Sequence, residues 1–359
     1  MEAKARREHI AAIEQLRGLV IITLVLGQVP YFLKLSSEQL TLSESVVFFL
    51  SWLSHFCIPA FVFLTGLRIY FSSLEMKDTP GAWKFLLGCG LCLILLGWNL
   101  AFWNPIPVVL LTAGWIMITK GSLIVLPLRV VQAIVLIITV LANCINYNIM
   151  EKFGSAAQML SGLIQATTLI PLGDLRVVRL EPLVTLLVVL AAGYIAGPLW
   201  KFPVEERRRK LFTIGATATV AFILLRLAAI FSSPQPWPQH YTLTLKLYTF
   251  FRFDNSPASI YYLLMTLGPT MVALSWFDRI RLSDRNPLLV FGRVPLFFYL
   301  LHFCLAHAIA ILLSGISLGL WDLPLAFPFS SLSFKNEYPF GLGFTYFVWI
   351  SIVASLYLP

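Results

Sequence analysis

From position 11 to position 358 apolar runs of membrane-spanning length recur along the chain, most of them separated by short connections. A helix that crosses a bilayer needs about 20 mostly apolar residues. Inside lipid the backbone must satisfy its own hydrogen bonds, and a helix does so segment by segment. Charged residues make up only 12% of the 359 positions, against about 25% in a soluble domain. An integral membrane protein is therefore expected, with no room for a soluble domain. The runs fall at 11–32, 46–70, 84–103, 105–123, 127–146, 182–200, 211–231, 257–276, 288–314 and 342–358. The expected fold is all-α: a polytopic membrane bundle of about ten transmembrane helices forming a single multi-pass domain over 1–359. The segment 155–172, apolar but broken up, reads as an interfacial or re-entrant piece.

Lys and Arg favour the cytoplasmic side of a membrane protein. With both termini inside, most of the 26 basic residues fall on or near the inner face, so an N-in, C-in topology is expected. The net charge of +9 then follows from topology, and a nucleic-acid partner is not expected. The strongest basic run, EERRRK at 205–210, reads as a short cytoplasmic loop that sets orientation and meets anionic headgroups. The first span holds Glu14 and Arg17 and lacks a small-residue cleavage site, so it reads as an anchor and not a removable signal. Cys89-Gly-Leu-Cys92 lacks the βαβ context of a redox motif and reads as packing. Gly193-x-x-x-Gly197 reads as a site of close helix approach. The longest connections, 146–181, 232–256 and 315–341, lie outside; the latter two contain proline-rich, aromatic stretches suited to an interfacial belt or a cover over a substrate mouth.

Against this background the ionisable residues within spans stand out, since each costs roughly 2.5–3.5 kcal/mol on insertion scales and normally faces protein or a wet cavity. Glu14 and Arg17 are three apart and share one helical face. Gln28 projects from nearly the same stripe, roughly 16 Å further along. The second span places His55 about a third of the way in from the outer face, with Pro59 and Gly66 beyond it. The run Leu288–Leu313 carries Arg293, His302 and His307, with Gly292-Arg293-Val294-Pro295 opening the helix near the inner face and His302 close to the midplane. Arg226 is a further charge within a span. No metal site is expected.

Four segments carry a resemblance: RGLVIITLVL after an acidic residue, SHFCIPAFVFLTG, LLMTLGPTMVALSWFDR and LLVFGRVPLFFYLLHFCLAH. In this order, from about Ile13 to the C-terminus, they resemble the membrane acyltransferases related to heparan-α-glucosaminide N-acetyltransferase. The resemblance implies a multi-pass protein of the bacterial inner membrane that takes an acyl group, acetyl first of all, from cytoplasmic acyl-CoA and passes it to an externally facing glycan or other hydroxyl or amine acceptor. It implies donor binding by Arg17 and Arg293 with Glu14, a general base at His55 or His302, and an orienting role for Gln28. Arg17, Gly18, His55, Cys57, Pro59, Gly66, Gly292, Arg293, Pro295, Tyr299 and His302 match the family's motifs. Glu14 stands where an aspartate is usual, Gly27-Gln28 where bacterial members have Asp-His, and Phe253–Ser259 where Lys-Tyr-Pro-Pro-Ser is usual.

Glutamine cannot take a proton from an attacking hydroxyl as histidine can. The departure at Gln28 therefore keeps open a second expectation, a catalytically degenerate relative serving as a structural subunit of a larger membrane assembly or a homo-oligomer. A third expectation, a transporter of an anionic or lipid-linked substrate using Arg226 and the Glu14, Arg17 pair, finds no internal symmetry in the sequence to support it.

Overall fold

Most helices begin and end within a few residues of where the apolar runs do, but those of the first and seventh runs start well ahead of them, at Glu2 and Val204. The computed structural model describes residues 2–33, 44–76, 79, 81–100, 106–144, 171–172, 175–176, 183–231, 250, 259–318 and 342–357. They form α1 (Glu2–Leu33), α2 (Glu44–Met76), α3 (Ala82–Leu100), α4 (Ile106–Val125), α5 (Leu128–Cys144), α6 (Leu183–Ala196), a 3-10 turn (Gly197–Lys201), α7 (Val204–Phe231), α8 (Ile260–Phe277), α9 (Pro287–Arg293), α10 (Pro295–Leu318) and α11 (Leu342–Tyr357). Among the described residues the strand structure is one antiparallel pair of two-residue strands, with Pro171 opposite Arg176 and Leu172 opposite Leu175. All but a few residues of the connections expected at 146–181, 232–256 and 315–341, and of the interfacial piece at 155–172, lie outside the described residues.

Three described stretches are long and apolar enough to cross a membrane: Phe56–Met76, Val204–Ala229 and Ile260–Phe277; the bent pair α9 and α10 makes a fourth when taken as one span. Shorter apolar helices lie at Ala82–Leu95, Leu128–Val140, Thr185–Lys201 and Tyr346–Tyr357. Among the described residues the protein is thus helical, with three to four helices long and apolar enough for a bilayer.

Two expectations are corrected. The run at 288–314 is not one helix: α9 and α10 meet at 95°. Pro295 has no N–H to donate and pushes the preceding residue out of the helical region; Val294 accordingly sits at φ −123°, ψ 49°. Nor is EERRRK a loop. It forms the first two turns of α7, where Glu205 and Glu206 favour the positive end of the helix dipole. Glu206 pairs with Lys210 at 2.8 Å and Glu205 with Arg208 at 2.8 Å, the spacings at which helical neighbours meet.

The chain groups into two compact units, Met1–Phe61 with Leu96–Leu110 and Ile280–Pro359, and Val62–Leu95 with Leu111–Arg279. In the first, α1, α9, α10 and α11 enclose an apolar core of Ile21, Val25, Phe291, Phe298, Ala306, Val348 and Ile352. Phe291 lies against Phe298 at 4.3 Å between ring centroids, and the Trp349 indole donates to the Ile22 carbonyl at 3.1 Å. In the second, α2 meets α6 through Gly66 and Gly193: a Cβ on either would overlap a backbone carbonyl of the other helix, that of Leu190 or Phe63. The approach expected at Gly193 and Gly197 is therefore present; a Cβ at Gly197 would overlap the Tyr70 ring. Helices in lipid gain little from apolar burial and associate through such close backbone contact. Tyr194, on α6, donates its hydroxyl to the Leu123 carbonyl at 3.1 Å and lies edge-on to Tyr70.

In α8, Pro269 interrupts the hydrogen-bond ladder. Thr266 and Thr270, both buried, each bond back one turn, to Tyr262 O at 2.7 Å and Thr266 O at 2.6 Å. Such hydroxyls keep helix carbonyls satisfied where proline loosens the ladder.

Candidate functional site

In the first unit, α1 and α9 interlock. A Cβ added at Gly18 would overlap the Leu288 backbone, and one added at Gly292 would overlap the Glu14 carbonyl. This mutual approach brings the acid of one motif to the arginine of another: Arg293 Nε donates to Glu14 Oε2 at 3.1 Å across 279 positions of sequence. Arg293 also donates from Nη2 to Asp284 Oδ1 at 2.6 Å. The local sequence explains how Asp284 arrives there. Asn286 caps α9, its side chain accepting from Leu288 N at 3.0 Å, and Pro287 follows at the position where a missing N–H does no harm. Two further bonds hold the segment before the cap: Gln15 Nε2 to Ile280 O at 3.3 Å and Tyr357 OH to Arg285 O at 2.5 Å.

Arg17 lies one turn after Glu14 on α1 and is buried, with its guanidinium 5.4 Å from the centroid of the Phe61 ring. That contact stabilises a charge withdrawn from water. His302 is fully buried on α10. Its imidazole packs on the rings of Phe298 and Tyr299, 6.2 Å and 4.9 Å between centroids. Phe61, Phe298 and Tyr299 all belong to or pack on the one apolar core, so Arg17 and His302 border the same cluster.

The structure thus brings together Glu14 and Arg293 directly and sets Arg17 and His302 around one core. The side chains of Gln28, His55 and His307 lie outside the described residues. Among the described residues no group of His, Cys, Asp and Glu is arranged to hold a metal ion.

Sequence reasoning missed Asp284 as the second partner of Arg293. The available signal was Asn286-Pro287, a helix-start pair that places a turn, with its acid, beside the beginning of α9. It also missed the fate of the basic run. Arg207, 2% exposed in the second unit, donates from Nη2 to both Asp278 carboxylate oxygens, at 2.8 and 2.9 Å, and from Nε at 3.2 Å. Its guanidinium lies 5.3 Å from the Trp200 ring centroid. Arg208 adds a bond to Asp278 Oδ2 at 3.3 Å and another to its carbonyl at 2.6 Å. Both arginines are therefore committed to an internal clamp between α7 and the end of α8. Arg226, the charge within α7, is accommodated by donating Nε to the Phe250 carbonyl at 3.1 Å.

Chemically, the first unit offers a buried cation on an aromatic ring, a forked cation shared by two carboxylates, and a buried imidazole. Guanidinium groups suit phosphate and carboxylate, and a neutral imidazole can accept a proton. No family profile, curated protein or solved structure matches the chain.

Proposed function

We propose that the protein is a multi-pass membrane acyltransferase of the heparan-α-glucosaminide N-acetyltransferase kind, with ten transmembrane helices and both termini inside, in a bacterial inner membrane. It would break the thioester C–S bond of cytoplasmic acyl-CoA, acetyl-CoA first of all, and form a C–O or C–N bond to an externally facing glycan or related acceptor. The acceptor proton would pass to His302 or His55 and then to the departing CoA thiolate. Arg17 and Arg293 would hold the donor's phosphates, Glu14 would orient Arg293, and Gln28 would orient the acceptor or the thioester carbonyl. The observation that carries this reading is the Glu14–Arg293 contact with its reciprocal glycines: two of the segments on which the resemblance rests meet at the residues expected to bind donor.

The purified protein is expected to turn over acetyl-CoA in the presence of hydroxyl or amine acceptors, and His55→Ala with His302→Ala to reduce that rate by about 100-fold or more, as loss of a general base does. Undiminished turnover in the double variant eliminates the assignment.

One observation favours a second reading, a non-catalytic subunit of a membrane assembly. Arg293 already holds two carboxylates, and His302 is enclosed by Phe298 and Tyr299. Stoichiometric co-purifying proteins together with absence of CoA binding in calorimetry would select it.

A further inference from the structure

We propose that Asp284 is an internal stand-in for the anionic ligand of Arg293, which a phosphate-bearing ligand displaces on binding. That the ligand bears phosphate rests on the acyl-CoA reading; the stand-in role rests on geometry. The Nε and Nη2 donors form one edge of the guanidinium fork, an edge that a single phosphate spans with two oxygens. Here two different carboxylates divide it, Glu14 on Nε and Asp284 on Nη2.

The two acids are not equivalent. Glu14 is 14% exposed and sits on α1 where Gly292 locks against its carbonyl, so it is fixed by the helix crossing. Asp284 is 85% exposed, and the Arg293 side chain is 43% exposed. The backbone around Asp284 is held by the bonds from Gln15 and Tyr357 and by the Asn286 cap. Asp284 can therefore leave Arg293 by side-chain rotation into water, a motion of picoseconds to nanoseconds in exposed residues. Two carboxylates here share one guanidinium. The second acid therefore repels an approaching anion as well as occupying its donor.

The test is calorimetric titration of inorganic pyrophosphate into the full-length protein in nanodiscs of neutral lipid. Asp284→Asn should bind pyrophosphate about tenfold more tightly than the unaltered protein at low salt, and the gain should shrink as ionic strength rises, as for any exposed charge pair. Arg293→Lys in the Asp284→Asn background should abolish the gain, because the ammonium lacks the fork. Equal or weaker binding by Asp284→Asn overturns the proposal, as does a gain that survives Arg293→Lys or absence of binding to both proteins. The measurement needs no turnover. Tighter binding without acetyl-CoA turnover would leave the stand-in standing and remove the acyltransferase reading, whereas turnover with no effect of Asp284→Asn would do the reverse.

Discussion

A Gly292→Val variant is expected to lose the folded first unit, emerging from size exclusion as aggregate while the unaltered protein stays monodisperse. The added Cβ would lie on the Glu14 carbonyl, and the reciprocal Cβ at Gly18 would lie on the Leu288 backbone. Overpacking against side chains costs about 1–3 kcal/mol because they can shift rotamer. A carbonyl within a helix has no such freedom, so α1 and α9 must separate, which breaks the Glu14–Arg293 pair and opens the core between them. The expected cost is above about 3 kcal/mol, a large share of the roughly 5–15 kcal/mol that holds an ordinary domain together. Gly292→Ala should already show most of the loss, since Cβ is the offending atom. Gly88→Val is the control: nothing lies within 4 Å of a Cβ at that helical position, and the variant should behave as the parent does. A stable, monodisperse Gly292→Val protein would contradict the interlocked crossing.

The second large effect is expected in the other unit. Removing one member of a buried ion pair strands its partner and costs roughly 3–5 kcal/mol. Asp278→Ala should be worse than Arg207→Ala. The first takes a carboxylate from both Arg207, 2% exposed, and Arg208, whereas the second leaves Asp278 with Arg208 still in reach. Thermal unfolding should rank the proteins as parent, Arg207→Ala, Asp278→Ala in falling stability. Replacing both residues, by methionine at 207 and leucine at 278, should recover most of the loss, because well-packed apolar pairs often match or exceed buried ion pairs. If the two single variants unfold with the parent, the clamp contributes nothing.

Much of the helical layout was legible before any coordinates. Runs read at 105–123, 127–146 and 342–358 are helices at Ile106–Val125, Leu128–Cys144 and Leu342–Tyr357, because an apolar backbone in lipid has few alternatives to a helix. Close approach at Gly193 was legible for the same local reason: a missing side chain marks where another backbone can come near. What escaped was everything set by distant partners. The composition of EERRRK says that it is basic. It does not say that Arg207 faces Asp278, 71 positions away, and so is withdrawn from the headgroups it was expected to meet. Glu14 and Arg17 are neighbours by spacing, yet the carboxylate is held by Arg293, from a helix whose direction Pro295 turns by 95°. Hydropathy registers the apolar run on both sides of that proline as continuous and cannot see the turn.

The donor site proposed on α1 and α9 is tested most directly by where a nucleotide settles. A cryo-electron microscopy map of the protein in nanodiscs, saturated with a non-hydrolysable acetyl-CoA analogue, should show phosphate density on the Nε–Nη2 edge of Arg293 and toward Arg17, with the Asp284 carboxylate turned into solvent. A map at the same saturation that shows Arg293 still gripping both Glu14 and Asp284, with no nucleotide against α1 and α9, would contradict it.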